Sequence, residues 1–324
     1  MMANAVCELL GIQYPIIEGG LAYVGNGALA AAVSEAGGFG QVGCGGRTPS
    51  DVAHEIVLAA AKTSRPFGVN IPISEHSDIE PYLTVIEENC QFIQAVSLSA
   101  GNPRPYIDRL HAMGLCVLVL VSTPEMAQKA EGAGADAIVC EGCEAGGHDG
   151  PQELTTLVLV PQVRDVVKVP VIAAGGIVDG RTAAAAYALG ADGVQVGTLF
   201  VATRECQAHE AYKERLVAAG SHQTRVMERS LGRVTRVLDS SHVQRVIQAE
   251  RETPGDVAEL LPLISGRCNA RAALEGKLDE GYVNCGQGVG LVKSIVPAGD
   301  VVRMLARDAD IALRRSASAY AEWM

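Results

Sequence analysis

The sequence predicts an α/β fold, a (β/α)8 TIM barrel with a helical insertion after its eighth strand, on three observations. Eight short runs rich in Val, Ile and Ala recur through roughly the first two hundred residues, each followed by a Gly-rich or polar break. Stretches of helical character that close at glycine lie between them. Hydrophobic residues are 48% of the 324 but aromatic ones only 4%, so the core rests on the aliphatic side chains that buried parallel strands and their covering helices use.

The first run, residues 15–20, sets two isoleucines before Glu18-Gly19-Gly20, and an Ala-rich stretch over 28–36 then closes at Gly37-Gly38. The second (39–43), third (67–73) and fourth (95–99) runs follow; the third carries Asn70 and the fourth ends at Ser99-Ala100-Gly101-Asn102-Pro103. The fifth, 115–121, is an unbroken aliphatic run followed by a helix that starts at Pro124 and reaches Gly132. The sixth, 137–142, leads into a segment from Glu141 to Gly150. The seventh, 169–176, ends in Gly175-Gly176 before a helix over 181–189 closed by Gly190, and the eighth, 193–198, ends in Gly197-Thr198. Strand, helix, strand eight times over is the barrel count. A doubly wound sheet also alternates, but no Gly-x-Gly-x-x-Gly follows the first strand.

Past Phe200 the pattern changes to polar or amphipathic helices without intervening strands, over 205–219, 239–251, 256–265 and 270–275. Residues 206–280 are therefore expected to form a helical, substrate-side insertion, with 1–205 and 281–324 forming the barrel and a helix from about Gly299 completing the outer ring.

A net charge of −11 and an isoelectric point near 5.1 repel a phosphate backbone, which argues against nucleic acid or an anionic membrane as partner and for a small-molecule substrate. A homodimer is left open. The nine cysteines are an odd number and widely scattered, so zinc or a redox disulfide is not expected and no metal site is assigned. The N-terminus lacks a secretory pattern and no run of about 18 apolar residues occurs, so the cytoplasm is the expected location.

In such a barrel, function gathers where strands end. Gly-Gly after the seventh strand and Gly-Thr after the eighth let backbone N–H groups approach an anion, and together they imply a phosphate-bearing ligand; singly, each could be only a tight turn. The segment Glu141-Gly-Cys-Glu-Ala-Gly-Gly-His148-Asp-Gly150 surrounds one histidine with glycines and reads as a flexible loop. His148 at that strand end suits a general base or an electrostatic partner, whereas a purely structural histidine would seldom be set among so many glycines. The other six, His54, His76, His111, His209, His222 and His242, fall in helices or polar connections and read as structural. Cys143 lies near His148, but spacing alone does not supply the contact and orienting group that thiol catalysis needs.

Taken together, Gly11-Ile-Gln-Tyr-Pro-Ile-Ile-Glu-Gly-Gly-Leu21, Pro66-Phe-Gly-Val-Asn70, Ala100-Gly-Asn-Pro103, Glu144-Ala-Gly-Gly-His148, Ile172-Ala-Ala-Gly-Gly-Ile177 with Asp179-Gly180, Gln195-Val-Gly-Thr198 and Gly286-Gln287 span almost the whole chain. They resemble the nitronate monooxygenase (2-nitropropane dioxygenase) superfamily, which also holds FMN-dependent enoyl-acyl-carrier-protein reductase II (FabK-type) and NADH:quinone reductase enzymes. The resemblance implies a non-covalent FMN at the barrel mouth, its phosphate held by Gly175, Gly176, Gly197 and Thr198. It places the ring near Gly19, Gly20, Leu21, Asn70 and Gln195; Glu141 is counted among the cofactor-binding positions. His148 would face the flavin as the catalytic residue, with Ala100, Asn102 and Gly147 on the substrate side.

Oxidation of an alkyl nitronate with O2 is the first expectation for activity. The alternative is an NAD(P)H-dependent enoyl-thioester or quinone reductase, towards which the Glu18-Gly-Gly-Leu21 and Ala100-Gly-Asn-Pro103 segments lean. A phosphate-ligand barrel without flavin shares the glycines and is the distant third.

Overall fold

The computed structural model describes residues 4–73 and 78–321; His76 lies outside the described residues. Eight parallel strands form the barrel: β1 (Ile16–Glu18), β2 (Gly40–Gly43), β3 (Phe67–Pro72), β4 (Ala95–Ser99), β5 (Cys116–Val121), β6 (Ala137–Glu141), β8 (Val171–Ala174) and β9 (Gly193–Val196). Between β6 and β8 lies a short outer strand, β7 (Gly147–Asp149), and two more, β10 (Thr224–Met227) and β11 (Val234–Leu238), follow β9. The barrel order is β1-β9-β8-β6-β5-β4-β3-β2. Its seam closes where the Glu18 N–H donates to the Phe39 carbonyl (2.8 Å) and the Phe39 N–H to that of Ile16 (2.9 Å).

The pleat explains both the core and the site. Ile17, Phe39, Ala95, Leu118, Ala137, Val139, Ile172 and Ala174 point inward and pack as one cluster, with Val6 and Leu10 of the helix Ala5–Leu10 stopping its lower end. Their alternates, among them Ile16, Val96, Leu98, Val117, Val119, Ile138 and Val171, face the helical ring. Continuing the same alternation towards the strand ends sets Gln41, Asn70, Ser97, Glu141 and Gln195 on the inward face. The aliphatic interior therefore gives way to a polar upper layer where the strands end.

Caps fix the helices that carry the site loops. Thr48 and Asp51 form a reciprocal capping box on the helix Pro49–Lys62, and the Asp179 carboxylate accepts from the Arg181 and Thr182 N–H groups at the start of Gly180–Ala188. Gly180 is required by packing, because a Cβ there would lie 2.3 Å from the Asp308 backbone of the closing helix Ala298–Ala321. The Asp179-Gly180 pair thus ties the closing helix to the barrel.

The region 206–280 corrects the helical expectation. Its helices (Glu210–Ala218, Ser241–Glu252, Val257–Ile264, Gly266–Glu275) accompany β10 and β11, which form a three-stranded antiparallel sheet with β7. Met227, Val237, Val243, Val246 and Leu260 of this region form a small core with Tyr282. The flexible loop expected around His148 is corrected by the same sheet: Gly147, His148 and Asp149 pair with Arg236, Thr235 and Val234. Ladder hydrogen bonds hold this segment in place. Its glycines serve close approach, since a Cβ on Gly146 would lie 2.6 Å from the Cys285 nitrogen and one on Gly142 2.2 Å from the Thr156 hydroxyl.

Candidate active site at the barrel mouth

A cavity of about 420 Å3 opens above the polar layer. Gly19, Gly20, Leu21, Asn70, Ala100, Glu141, Gly147, His148, Gly175, Gly176, Gln195, Gly197 and Thr198 all line it, so the structure brings together nearly every position singled out from the sequence. Asn102 departs from that reading. It is exposed, outside the lining, and its side-chain oxygen accepts from the Arg104 N–H (3.2 Å) at the start of the helix Arg104–Ala112. An Asx turn ahead of the helix accounts for an Asn there.

On the β1–β4 side a chain of buried polar groups sets the orientation of Asn70. Gln41 Nε2 donates to the Glu18 carbonyl (2.5 Å), Ser97 Oγ to Gln41 Oε1 (2.7 Å), and Asn70 Nδ2 to Ser97 Oγ (2.9 Å). With its nitrogen committed to Ser97, Asn70 keeps its oxygen for the cavity. Gly20 meets this side chain so closely that a Cβ would lie 2.1 Å from it. Below, burial pushes the Glu18 carboxyl well above the usual carboxylate range, against the lowering effects of the Gln41 N–H and Arg47.

Arg47, a position that sequence reasoning missed, holds the β1 loop. Its guanidinium is buried and donates to the carbonyls of Gly25 (2.9 Å), Gly43 (2.7 Å) and Tyr23 (3.0 Å), and Tyr23 sits in the left-handed region at φ 65°. Arg47→Ala is expected to destabilise the protein by about 2–4 kcal/mol, the scale set by buried carbonyls that lose a charged donor. Urea unfolding measures this, and an unchanged midpoint would remove Arg47 from the role of clamp.

At the opposite end, Gly175 (φ 96°) and Gly176 (φ 72°) turn the chain sharply after β8. Among the described residues, the N–H groups of Gly175, Gly176, Gly197 and Thr198 donate to no backbone carbonyl in turns, loops or caps. Thr198 Oγ1 accepts from the Gly286 N–H (3.0 Å), which brings the late segment 286–288 onto the same cradle. Free backbone donors set on glycines are the means by which barrels hold phosphate. Between the two ends, Gln195 is 7% exposed and its Oε1 is buried without a partner among the described residues. Glu144, from the Glu-Ala-Gly-Gly-His segment, serves the fold, because its carboxylate accepts from the Thr156 N–H (2.9 and 3.1 Å) at the start of the helix Thr156–Val166.

The third wall carries the titratable groups. The His148 side chain is exposed and lines the cavity. Burial raises Glu141 to about 7. Asp149, which sequence reasoning also missed, is raised to about 9, by burial first and by the neighbouring Glu141 carboxyl second, with Arg236 opposing. Burial raises the Cys143 thiol, which disfavours the thiolate that nucleophilic catalysis needs. Of the remaining histidines, His111 meets Asp136 (2.9 Å), His209 accepts from the Ala211 N–H (3.1 Å) and His242 meets the Leu263 carbonyl (2.7 Å). These three hold the fold together. Tyr212, whose hydroxyl donates to the Asn284 carbonyl, reaches the cavity from the region after β9. No local pattern around it could have signalled that.

An eight-stranded parallel barrel with free backbone N–H groups on glycines, buried amides and titratable groups at one mouth has the layout of a barrel enzyme. The chain belongs to the nitronate monooxygenase family, whose model matches residues 3–308. It is an oxidoreductase, and the family and its structural neighbours are flavin enzymes. The structure is similar to that of FabK from Thermotoga maritima, at 39% identity and a TM-score of 0.91 over 98% of this chain and 100% of that one. It is also similar to nitroalkane oxidase from Streptomyces ansochromogenes, at 31% identity and 0.82 over 97% and 99%. A probable nitronate monooxygenase of Staphylococcus aureus is 31% identical over 292 residues, 78% of this chain and 82% of the relative. A (3aS,4S,5R,7aS)-5-hydroxy-7a-methyl-1-oxo-octahydro-1H-indene-4-carboxyl-CoA dehydrogenase of Rhodococcus jostii is 34% identical over 242 residues, 75% and 67% of the two chains. Among the described residues, no helix is long and apolar enough to cross a membrane.

Proposed function

We propose that this protein is an FMN-dependent nitronate monooxygenase that oxidises alkyl nitronates with O2. The observation that carries the reading is the joint placement, round one cavity, of the free amides of Gly175-Gly176 and Gly197-Thr198, the Gln195 oxygen without a partner among the described residues, and the His148 side chain. The donor set fits the cofactor. The N–H groups of Gly175, Gly176, Gly197 and Thr198 would hold its phosphate, while Gly19, Gly20 and Leu21, with the Asn70 and Gln195 amides, would receive the flat ring and its alternating donors and acceptors. Glu141 stands beside them on the barrel's inner face. When bound, the flavin supplies the two-electron chemistry. His148 orients the substrate and holds or accepts a proton, and the walls from β7 and residues 206–280 exclude water.

A second reading, an NAD(P)H-dependent enoyl-thioester or quinone reductase, is favoured by the 39% identity to FabK along the full length of that chain. Anaerobic mixing separates the two. Bleaching of bound flavin by propyl nitronate with no response to NADH supports the first reading, and rapid bleaching by NADH or NADPH supports the second.

A further inference from the structure

We propose that Asn284 binds the substrate directly, its side-chain amide donating a hydrogen bond to an anionic oxygen of the bound nitronate beside His148. The assignment deepens the nitronate reading above and rests on it. Its basis is a shortage of donors. A nitronate is a small anion, yet among the described residues that line the cavity there is no lysine or arginine. Two buried arginines are spent on the backbone: Arg47 donates to three carbonyls, and Arg236 Nε to the Cys143 carbonyl at 2.8 Å. An anionic substrate must then be met by neutral donors and by His148. Tyr212, Asn269 and Asn284 bring three polar side chains to the same wall of the cavity. Two of them are committed, the Tyr212 hydroxyl to the Asn284 carbonyl and Asn269 Nδ2 to the Tyr282 carbonyl at 3.0 Å. Asn284 is half-buried and its amide makes no hydrogen bond among the described residues, so its N–H donors are left to the cavity.

The backbone beneath this amide is held from three sides. Tyr282 O accepts from Asn269 on the helix Gly266–Glu275, Val283 O from the Leu238 N–H (2.9 Å) at the end of β11, and Asn284 O from Tyr212 on the helix Glu210–Ala218. Three residues further on, the Gln287 N–H donates to the Glu144 carbonyl at 2.8 Å. A segment fixed this firmly around one unused amide is a preorganised binding group. The amide reaches the β7 wall, since a Cβ on Gly147 would lie 3.3 Å from Asn284 Nδ2, and glycine there leaves that nitrogen room next to His148. Electrons leave the nitronate as it is oxidised, so its oxygens carry the most negative charge before reaction. A hydrogen bond to them holds the ground state, and its loss raises KM more than it lowers kcat. That separates Asn284 from His148, whose loss falls on kcat. The proton stays on the Asn284 nitrogen, and no bond to the substrate forms or breaks.

The test compares Asn284→Leu, which keeps the branched shape without a donor, with Asn284→Ser, which is smaller but keeps one, in the flavin-loaded protein. With propyl nitronate, Asn284→Leu should raise KM by at least about 10-fold with flavin content unchanged and kcat within about threefold, and Asn284→Ser should stay within about threefold of the parent in KM. A packing role predicts the opposite order, because serine leaves the larger void. Neutral 1-nitropropane, with the same carbon skeleton, serves as a competing ligand, and its inhibition constant should shift by less than about threefold in Asn284→Leu, since its oxygens carry no net charge. A KM within twofold of the parent in Asn284→Leu, a loss in Asn284→Ser as large as in Asn284→Leu, equal losses for the anionic and neutral ligands, or loss of bound flavin in Asn284→Leu overturns the proposal while the nitronate reading stands. A parent protein that binds flavin but does not turn over propyl nitronate overturns the reading, and this assignment with it.

Discussion

His148→Ala is expected to keep its flavin and lose about two to four powers of ten in kcat, the usual range for a positioned acid or base. The side chain is exposed to the cavity, while its backbone is held in the β7–β11 ladder opposite Thr235. Truncation should therefore remove chemistry without loosening the wall. Stopped-flow reduction by propyl nitronate, with the flavin spectrum as a binding control, measures the effect. Turnover within a factor of about three of the parent would take His148 out of the mechanism.

Gly175→Ala is expected to weaken FMN binding by about two powers of ten, because two penalties act at one residue. Its φ of 96° is a conformation that L side chains rarely adopt, and a Cβ would lie 2.6 Å from the Gly142 carbonyl oxygen and 2.9 Å from the Thr156 hydroxyl. Relief requires the turn after β8 to move, and the free N–H groups of Gly175 and Gly176 move with it. Equilibrium titration with FMN, followed by flavin fluorescence, reads the loss. Parent-like affinity would show that this turn does not form the phosphate cradle. Thr198, whose hydroxyl is already engaged by the Gly286 N–H, is a milder position by the same reasoning.

The barrel was legible because each of its strands is a short aliphatic run ending in glycine or a polar residue, with the next helix capped by residues of recognisable type. Thr48 and Asp179 are examples. The antiparallel sheet was not. β7 is three residues long and pairs with β11, far along the chain, so the alternation in Thr224–Met227 and Val234–Leu238 had no nearby partner to give it meaning. The same long-range contact hid the chemistry of Asp149. In the sequence it is one more acidic residue beside a glycine, and only the packing of β11 and the carboxyl of Glu141 turn it into a buried acid. Glu144 shows the reverse, being conspicuous in the Glu-Ala-Gly-Gly-His segment and yet a cap for the helix Thr156–Val166. Asn102 stands just past a strand, where site residues gather, yet its side chain closes an Asx turn with the Arg104 N–H. Arg47 carried no local signal, since two of its three carbonyl partners, Tyr23 and Gly25, come from the loop after β1 and the third, Gly43, from the end of β2.

That this barrel mouth holds FMN is tested most directly by the visible absorbance of the purified protein after incubation with FMN and removal of the free cofactor. The expected result is a yellow protein carrying flavin bands at close to one equivalent, with the bands lost in Gly175→Ala and kept in His148→Ala. A parent protein that stays colourless after that treatment would contradict it.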